Sequence, residues 1–142
     1  MQLNPYLTFN GDCEAAMGLY HQVLGGELME MLRFGNAPGC GEEVPPDWRD
    51  KIMHACLCLG DRQLMASDSP PGQQEPVSGF GLALSLEDLA EAERIFGAFA
   101  DGGTVLMPLQ ETFWATKFGM VRDRFGIQWM INYVALSESA NA

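Results

Sequence analysis

Two periods of hydrophobic and polar positions account for most of the chain. Residues 127–133 place Ile, Trp and Ile on one side of an extended segment and Gln, Met and Asn on the other, the pattern of a half-buried strand. Residues 123–126 precede it and are typical of a tight turn, which makes residues 117–122 its antiparallel partner. Residues 12–24 instead carry apolar side chains at helical spacing, and the Gly25–Gly26 pair ends that helix.

The same order of elements occurs twice. Strands are predicted at 6–9, 28–34, 51–59 and 62–67 in the first half, and at 80–86, 105–107, 117–122 and 127–133 in the second. A constant shift places Asp12, the predicted cap of the first helix, on Asp88, the acidic position of a predicted Ser85-x-x-Asp88 capping box at the second. The same shift places Gly26 on Gly102 and keeps the apolar stripes of the two helices in register. This agreement indicates an internal repeat.

One helix and one small sheet leave a sheet face uncovered, and pairing two such modules solves that problem. We therefore predict an α+β protein of two tandem βαβββ modules that form a cleft between mixed sheets, with the helices outside. The predicted boundaries are a single domain over residues 1–136, with module one at 3–68, a linker at 69–78 and module two at 79–134. Residues 137–142 are small and polar and are predicted to form a flexible tail.

The formal net charge of −11 narrows the range of partners. Nucleic acids and anionic membrane surfaces attract basic patches, so we expect neither as a partner. No apolar run approaches the roughly 20 residues of a membrane-spanning helix, and the first residues have neither a basic region nor an apolar signal segment. We therefore expect a cytoplasmic protein. The acidity permits a cationic ligand, although many proteins are acidic for solubility alone.

Four cysteines and two histidines are candidate soft ligands. Cytoplasmic thiols are usually reduced, so we predict small buried cysteines rather than a disulfide framework. His54, Cys56 and Cys58 share one face of a predicted strand, but that face spans ~13 Å, too far for three side chains to reach one ion. His21 is predicted to face solvent from the first helix. His54 is therefore the one candidate acid or base that can exchange a proton near neutral pH.

Motifs near both ends of the chain carry a family resemblance. F-N-G-D-C-x-x-A-M-x-x-Y-x-x-V-L-G-G begins at Phe9, Q-E-T-F-W-A begins at Gln110, and D-x-F-G-x-x-W-M-I begins at Asp123. With the tandem βαβββ pattern they resemble the vicinal oxygen chelate superfamily, which includes glyoxalase I, bleomycin-resistance proteins and extradiol dioxygenases, and within it the PhnB-like family. The resemblance covers nearly the whole chain. It implies a glyoxalase-like cleft and a homodimer.

Glyoxalase-like members hold a divalent metal with four side chains, usually His and Glu, one from each of four strands. Carried over by register, these positions fall on Pro5, Met65, Gly81 and Met130. Proline and glycine side chains cannot coordinate, and a methionine thioether suits such metals poorly. We therefore predict no metal site and no cofactor. A larger slip in register would bring Asp68 into consideration as a ligand.

The resemblance also indicates which side chains line the cleft. Parity along the strands places amide and hydroxyl groups beside the two methionines, and aromatic residues near 114–118 form a wall. The predicted ligand-binding residues are His54, Met65, Ser67, Trp114, Phe118, Met130 and Asn132. Such a surface suits a small organic molecule that is aromatic or cationic.

Two functions follow from these expectations. The first is a PhnB-like small-molecule-binding protein without the usual divalent-metal site. The alternative is a metal-dependent lyase, isomerase or dioxygenase that uses a non-standard site around His54. The sequence does not decide between a binding protein and an enzyme. If the chain is catalytic, His54 is the residue we expect to be required.

Overall fold

In the computed structural model, each half of the chain builds one helix and one four-stranded sheet. The residues that the structure describes are 1–36, 45–69, 77–113 and 116–135. They fall into two units, Met1–Glu75 and Pro76–Ala142. Most of the predicted linker and all of the predicted tail lie outside the described residues.

The first unit has the element order βαβββ. Its elements are β1 (Tyr6–Phe9), α1 (Cys13–Leu24), β2 (Glu27–Arg33), β3 (Ile52–Leu59) and β4 (Arg62–Asp68), with short 3-10 turns at Phe34–Asn36 and Pro46–Trp48. The strand order across the sheet is β1-β4-β3-β2. Strand β1 runs parallel to β4, and the other neighbours are antiparallel.

The second unit repeats this arrangement. Its elements are β5 (Leu82–Leu86), α2 (Leu89–Ala100), β6 (Thr104–Gln110), β7 (Lys117–Arg122) and β8 (Gln128–Tyr133). The strand order is β5-β8-β7-β6, with β5 parallel to β8. The prediction of two tandem βαβββ modules in an α+β protein is therefore confirmed. In the part of the chain that the structure describes, no helix is long and apolar enough to cross a membrane.

Strand β6 extends further than the sequence pattern predicts. The sequence pattern predicts a strand near residues 105–107 or a little beyond, whereas β6 runs through Pro108 to Gln110. In the sheet β6 is an edge strand, so the proline ring removes no required ladder bond. Register shifts on both sides of Met107 mark bulges that accommodate the irregular segment.

Each sheet buries one face against its own helix. In the first unit, Leu57 of β3 and Met17 and Tyr20 of α1 are fully buried. In the second unit, Trp129 of β8 stacks on Phe99 of α2, with ring centroids 4.4 Å apart. Burying such side chains contributes about 1.5–3 kcal/mol each, so this interface supplies much of each unit's stability. The opposite face of each sheet is left with its own set of side chains.

A buried carboxylate ties together three segments of the first unit. Asp68, at the end of β4, is only 2% exposed. Its Oδ1 accepts hydrogen bonds from the N–H groups of Gly11 (2.8 Å) and Cys13 (3.0 Å), and its Oδ2 accepts one from the N–H of Ile52 (2.9 Å). These charge-assisted bonds offset the cost of burying the carboxylate and satisfy an N–H at the start of α1.

The cap of α1 therefore differs from the sequence-based prediction. Asp12 stands at the N-cap position, but its side chain makes no capping hydrogen bond. In α2 the N-cap is Asp88, which accepts from the N–H of Ala90 at 3.0 Å, whereas Ser85, predicted to open a capping box with Asp88, lies in β5. The N-termini of the two helices are capped differently because Asp68 of β4 accepts the hydrogen bond at the start of α1. Local sequence patterns do not predict a contact between such distant residues.

A second buried carboxylate organises the turn between β7 and β8. Asp123 Oδ1 accepts from the N–H groups of Phe125 (2.8 Å) and Ile127 (3.1 Å), and Oδ2 accepts from Trp129 Nε1 (2.9 Å). Gly126 adopts φ of 91°, as the predicted tight turn requires. The turn and the large core aromatic are thus fixed by one side chain.

Replacing Asp68 with Asn should lower the free energy of unfolding by about 2–4 kcal/mol. The amide N–H₂ would face a backbone N–H, and one charge-assisted acceptor would be lost. Asp61→Asn is the matched control, because Asp61 lies exposed in the turn between β3 and β4, and its effect should stay within about 0.5 kcal/mol. Urea unfolding followed by circular dichroism measures both variants. Similar stabilities would contradict the role given to Asp68.

Candidate functional site

The face of the first sheet opposite α1 is a candidate binding surface. Side chains alternate between the two faces of a strand, and Leu57 and Ala66 are buried on the α1 side. The cross-strand pairs on the opposite side are Tyr6–Met65, Met65–Cys56, Cys56–Glu30, Thr8–Ser67 and His54–Leu32. We call these residues the first open face.

The corresponding face of the second sheet is richer in methionine. Its cross-strand pairs are Ala83–Met130, Met130–Met120, Met120–Met107, Ser85–Asn132, Asn132–Phe118 and Phe118–Gln110. Trp129 and Ile131 of β8 alternate with this set and are buried on the α2 side. We call the paired residues the second open face. It combines a row of three methionines with a row that carries a phenyl ring, two amides and a hydroxyl.

The structure divides the predicted ligand-binding residues between the two open faces. His54, Met65 and Ser67 lie on the first open face, and Phe118, Met130 and Asn132 lie on the second. All of them are half-buried. Trp114, predicted to join them, lies outside the described residues.

His54 is the centre of a polar cluster on the first open face. Its Nδ1 lies 3.3 Å from Tyr6 Oη, and its Nε2 lies 3.5 Å from Glu30 Oε2. The rings of Tyr6 and His54 are tilted by 33°, with centroids 5.9 Å apart. Because β4 lies between β1 and β3, Tyr6 spans a whole strand to reach the imidazole. We call this set the Tyr6–His54–Glu30 cluster.

A bulge in β2 brings Glu30 into the cluster. Leu28 pairs with Leu57, but Glu30 pairs with Cys56, so the register shifts by one residue between them. Without that shift Glu30 would stand opposite Ala55, on the face buried against α1. Sequence reasoning missed Glu30 for this reason, since nothing in the local pattern of β2 marks the bulge.

Tyr6 was also missed, although a signal for it exists. Leu7 and Phe9 are the buried positions of β1, so Tyr6 and Thr8 alternate onto the other face. The strand has only four residues, however, and the contact with His54 joins residues 48 apart in the sequence. Alternation could place Tyr6 on the right face but could not pair it with His54.

The donor set at the four register-derived ligand positions does not fit a divalent metal. Pro5 contributes only its carbonyl, which accepts from the N–H of Met65 at 3.1 Å. Gly81 has no side chain, and a Cβ placed there would lie 3.2 Å from Cε of Met130. The other two positions are soft, neutral thioethers. Asp68 already accepts three backbone hydrogen bonds. Within the described ranges, no group of three or more His, Cys, Asp or Glu side chains is arranged to hold an ion.

Two thiols of the first unit, those of Cys13 and Cys56, have raised pKa values. Burial, reinforced by the nearby charges of Asp68 and Glu14, raises the pKa of the Cys13 thiol to about 12. Burial also raises the pKa of Cys56, with further contributions from its hydrogen bond to Cys58 and the charge of Glu30. Cys13 and Cys56 are buried as predicted, whereas Cys58 is half-buried. Because the thiolate is the nucleophile, Cys13 and Cys56 are poor candidates for covalent chemistry.

Known proteins similar to this chain span nearly all of it. The family model for the Glyoxalase/Bleomycin resistance protein/Dioxygenase superfamily matches residues 2–131. Protein YjdN of Escherichia coli (strain K12) is 39% identical over 143 residues, which cover 94% of this chain and 96% of YjdN.

Solved structures share the fold. Protein PA1353 from Pseudomonas aeruginosa has 51% sequence identity and a TM-score of 0.87, covering 95% of this chain and 98% of that one. The PhnB protein from Bacillus cereus has 24% identity and a TM-score of 0.79, covering 94% and 100% of the two chains. The tandem architecture described above is therefore one that solved structures contain.

Cys13 should resist modification by Ellman's reagent at about pH 8 in the folded protein. A thiol with a pKa of about 12 is only about one part in ten thousand thiolate at that pH. Cys56 should react slowly for the same reason, and the half-buried Cys58 should react first. Mass spectrometry after timed modification distinguishes them in a Cys40→Ser background, which removes a thiol outside the described residues. Denaturant should equalise the three rates. Fast modification of Cys13 in the folded protein would contradict its burial and its raised pKa.

Proposed function

Because the chain belongs to the Glyoxalase/Bleomycin resistance protein/Dioxygenase superfamily, we propose that it binds a small organic molecule through its open faces, without the divalent metal of glyoxalase-like relatives. The observation that carries this proposal is the make-up of the sheet face opposite each helix. Each such face presents half-buried methionine or aromatic side chains together with a few polar groups. An apolar surface with a small number of polar groups is typical of small-molecule sites.

The second open face, taken by itself, suits an aromatic or aliphatic ligand. Met107, Met120 and Met130 form a continuous cross-strand row, and Phe118 and Asn132 occupy the next row. Methionine side chains are flexible and polarizable, so they adapt to ligands of different shape and make favourable contacts with aromatic rings. The amide of Asn132 adds a donor and an acceptor beside the apolar row.

The first open face, taken by itself, suits a ligand that carries polar groups. The Tyr6–His54–Glu30 cluster supplies a phenol 3.3 Å from one ring nitrogen of an imidazole and a carboxylate 3.5 Å from the other. The negative charge of Glu30 agrees in sign with the net charge of −11. An uncharged or cationic ligand fits this surface better than an anionic one, since like charges repel.

The proposal also includes the expectations from the sequence about family branch, cellular compartment, oligomeric state and domain boundaries. We place the chain in the PhnB-like branch, in the cytoplasm and in a homodimer, with residues 1–136 as one domain. Free thiols at Cys13, Cys56 and Cys58 agree with a reducing compartment. Exposed strand edges are a common route to pairing of identical chains.

The alternative of a metal-dependent enzyme around His54 finds less support. Both ring nitrogens of His54 face side chains that compete with a metal, namely Tyr6 and Glu30. Asp68 is committed to backbone N–H groups of its own unit. The donor chemistry therefore favours binding without a divalent ion.

Ligand binding should shift the methyl signals of Met65 or Met130 in protein labelled with methyl-¹³C methionine. Uncharged and cationic aromatic compounds, selected by thermal shift, serve as probes. Met17 is the internal control, because it is fully buried in α1 and away from the open faces. Met130→Ala should weaken binding at least about ten-fold, since the lost contact is worth about 1.5–3 kcal/mol. Met29→Ala should not, because Met29 is an exposed residue in the bulge of β2. A panel that moved neither methyl signal would count against the proposal.

The purified protein should retain no stoichiometric divalent metal. Samples are incubated with Zn²⁺, Mn²⁺, Ni²⁺ or Fe²⁺, dialysed and measured by elemental analysis. We expect less than about 0.1 equivalent per chain, because thioether, proline and glycine positions provide no hard donors. A His54→Asn variant treated in parallel should show the same background. One tightly held ion per chain, lost in that variant, would instead establish the alternative around His54.

A further inference from the structure

We propose that Tyr6, His54 and Glu30 form a proton-transfer site. In this site the Tyr6 hydroxyl meets the ligand, His54 takes the proton of that hydroxyl, and Glu30 holds the imidazole in place. The inference rests on the proposed function for the ligand, which binds over the first open face. It adds a reaction class and a ligand charge to that binding surface.

The order of contacts is that of an activated hydroxyl group. Glu30 Oε2 lies 3.5 Å from Nε2 of His54, so in the tautomer that carries the ring proton on Nε2 this N–H faces the carboxylate. The lone pair of Nδ1 then faces Tyr6 Oη at 3.3 Å. A hydroxyl, a base within hydrogen-bond reach and a third group that orients the base constitute the general arrangement for activating a weak acid. The three side chains come from β1, β3 and β2, so the fold rather than local sequence brings them together.

Because the second sheet repeats the first, its residues at equivalent positions show which side chains the fold requires. Rows can be counted from the start of β2 and of β6, where Glu27 pairs with Cys58 and Thr104 with Arg122. The next row holds Glu30, Cys56, Met65 and Tyr6 in the first sheet and Met107, Met120, Met130 and Ala83 in the second. One row further on, His54 corresponds to Phe118.

The cluster positions of the first sheet are thus occupied by Ala83, Phe118 and Met107 in the second. The same strand order and register form there without a phenol, an imidazole or a carboxylate. The scaffold therefore does not need the Tyr6–His54–Glu30 cluster for its strand pairing. Even a charged His–Glu pair at this exposure would stabilise the protein little, so a stabilising role explains the cluster poorly.

Charge and exposure define the ligand class. Tyr6 is 47% exposed on the edge strand β1, so its hydroxyl is accessible to an incoming molecule. The basic side chains of the first sheet's strands are Arg33, paired with Glu14 of α1, and Arg62, next to Asp61. Neither joins the cluster, whereas Glu30 contributes a negative charge. The site therefore takes an uncharged or cationic organic molecule that carries a removable proton.

The step balances without a co-reactant. The O–H bond of Tyr6 breaks as its proton passes to Nδ1 of His54, and Glu30 offsets the positive charge on the ring. The phenolate oxygen then forms a new O–H bond with the proton removed from the ligand. The reverse sequence returns a proton to the ligand at the same or another atom, so the net change is exchange or isomerisation.

Aryl sulfonyl fluorides test the activation of Tyr6 without knowledge of the ligand. The phenol oxygen attacks sulfur, fluoride leaves, and the phenol proton goes to His54, which yields a sulfonate ester on Tyr6. Peptide mapping by mass spectrometry gives the labelling rates of Tyr6 and of Tyr133, a half-buried reference in the second unit. We expect His54→Asn to slow labelling of Tyr6 at least ten-fold and to leave Tyr133 unchanged. We expect Glu30→Gln to slow it about three-fold and Glu30→Asp to restore part of the rate.

Probe charge provides the second arm of the test. Aminoethyl-benzenesulfonyl fluoride should label Tyr6 at least as fast as uncharged benzenesulfonyl fluoride, and the carboxy derivative should be the slowest. Glu30→Gln should remove most of this difference. Tyr6 labelling that is insensitive to His54→Asn, or fastest with the anionic probe, would overturn the proton-transfer site. Melting temperatures and the Tyr133 rate identify any variant that is merely unfolded, and Tyr6→Phe confirms the labelled residue.

The result of the Tyr6 labelling experiment is independent of the result of the ligand-binding experiment. If Tyr6 is activated but no aromatic compound shifts the methionine methyl signals, the proposed aromatic ligand is wrong and the proton-transfer site stands. If ligands bind but Tyr6 shows ordinary reactivity, the protein binds without the proton transfer proposed here.

Discussion

The three hydrogen bonds to the buried Asp68 carboxylate are the constraint on which the first unit depends. They join the end of β4 to the start of α1 and to the start of β3. The bond to Ile52 lies two residues before His54, so it fixes the strand that presents the imidazole. If these three hydrogen bonds were broken, a carboxylate and three N–H groups would be left without partners in a buried region. Unpaired buried polar groups lower the free energy of unfolding. The geometry of the polar cluster thus depends on a residue that no ligand needs to touch.

Each sheet has two faces of different composition. Alternation forces every second side chain away from the helix, so a well-packed helical face necessarily creates a second, differently composed face. In the second unit the stacking of Phe99 on Trp129, together with Asp123 bonded to that indole, fixes the helical side. The methionine row on the other side is then a consequence of register, and its composition is free to follow function.

Particular residues show how much of this could be read from the sequence. The helices, their glycine stops and the strand at 128–133 follow from periodicity, because each depends on residues only a few positions apart. The placement of Met65, Ser67, Met130 and Asn132 on uncovered faces follows from the same alternation. Glu30 could not be placed, because a one-residue bulge reversed its parity. The capping of α1 by Asp68 instead of Asp12 escaped for a related reason, since it is a contact between distant segments.

The two open faces also show that one scaffold can carry different surfaces at equivalent positions. Where the first sheet has a phenol, an imidazole and a carboxylate, the second has a methyl group, a phenyl ring and a thioether, at matching rows of the same topology. Strand pairing uses backbone groups, so it tolerates this exchange of side chains. A repeat of this kind lets one copy keep an apolar, adaptable surface while the other acquires ionisable groups. The difference between the copies, rather than their similarity, is therefore the more informative guide to what each face does.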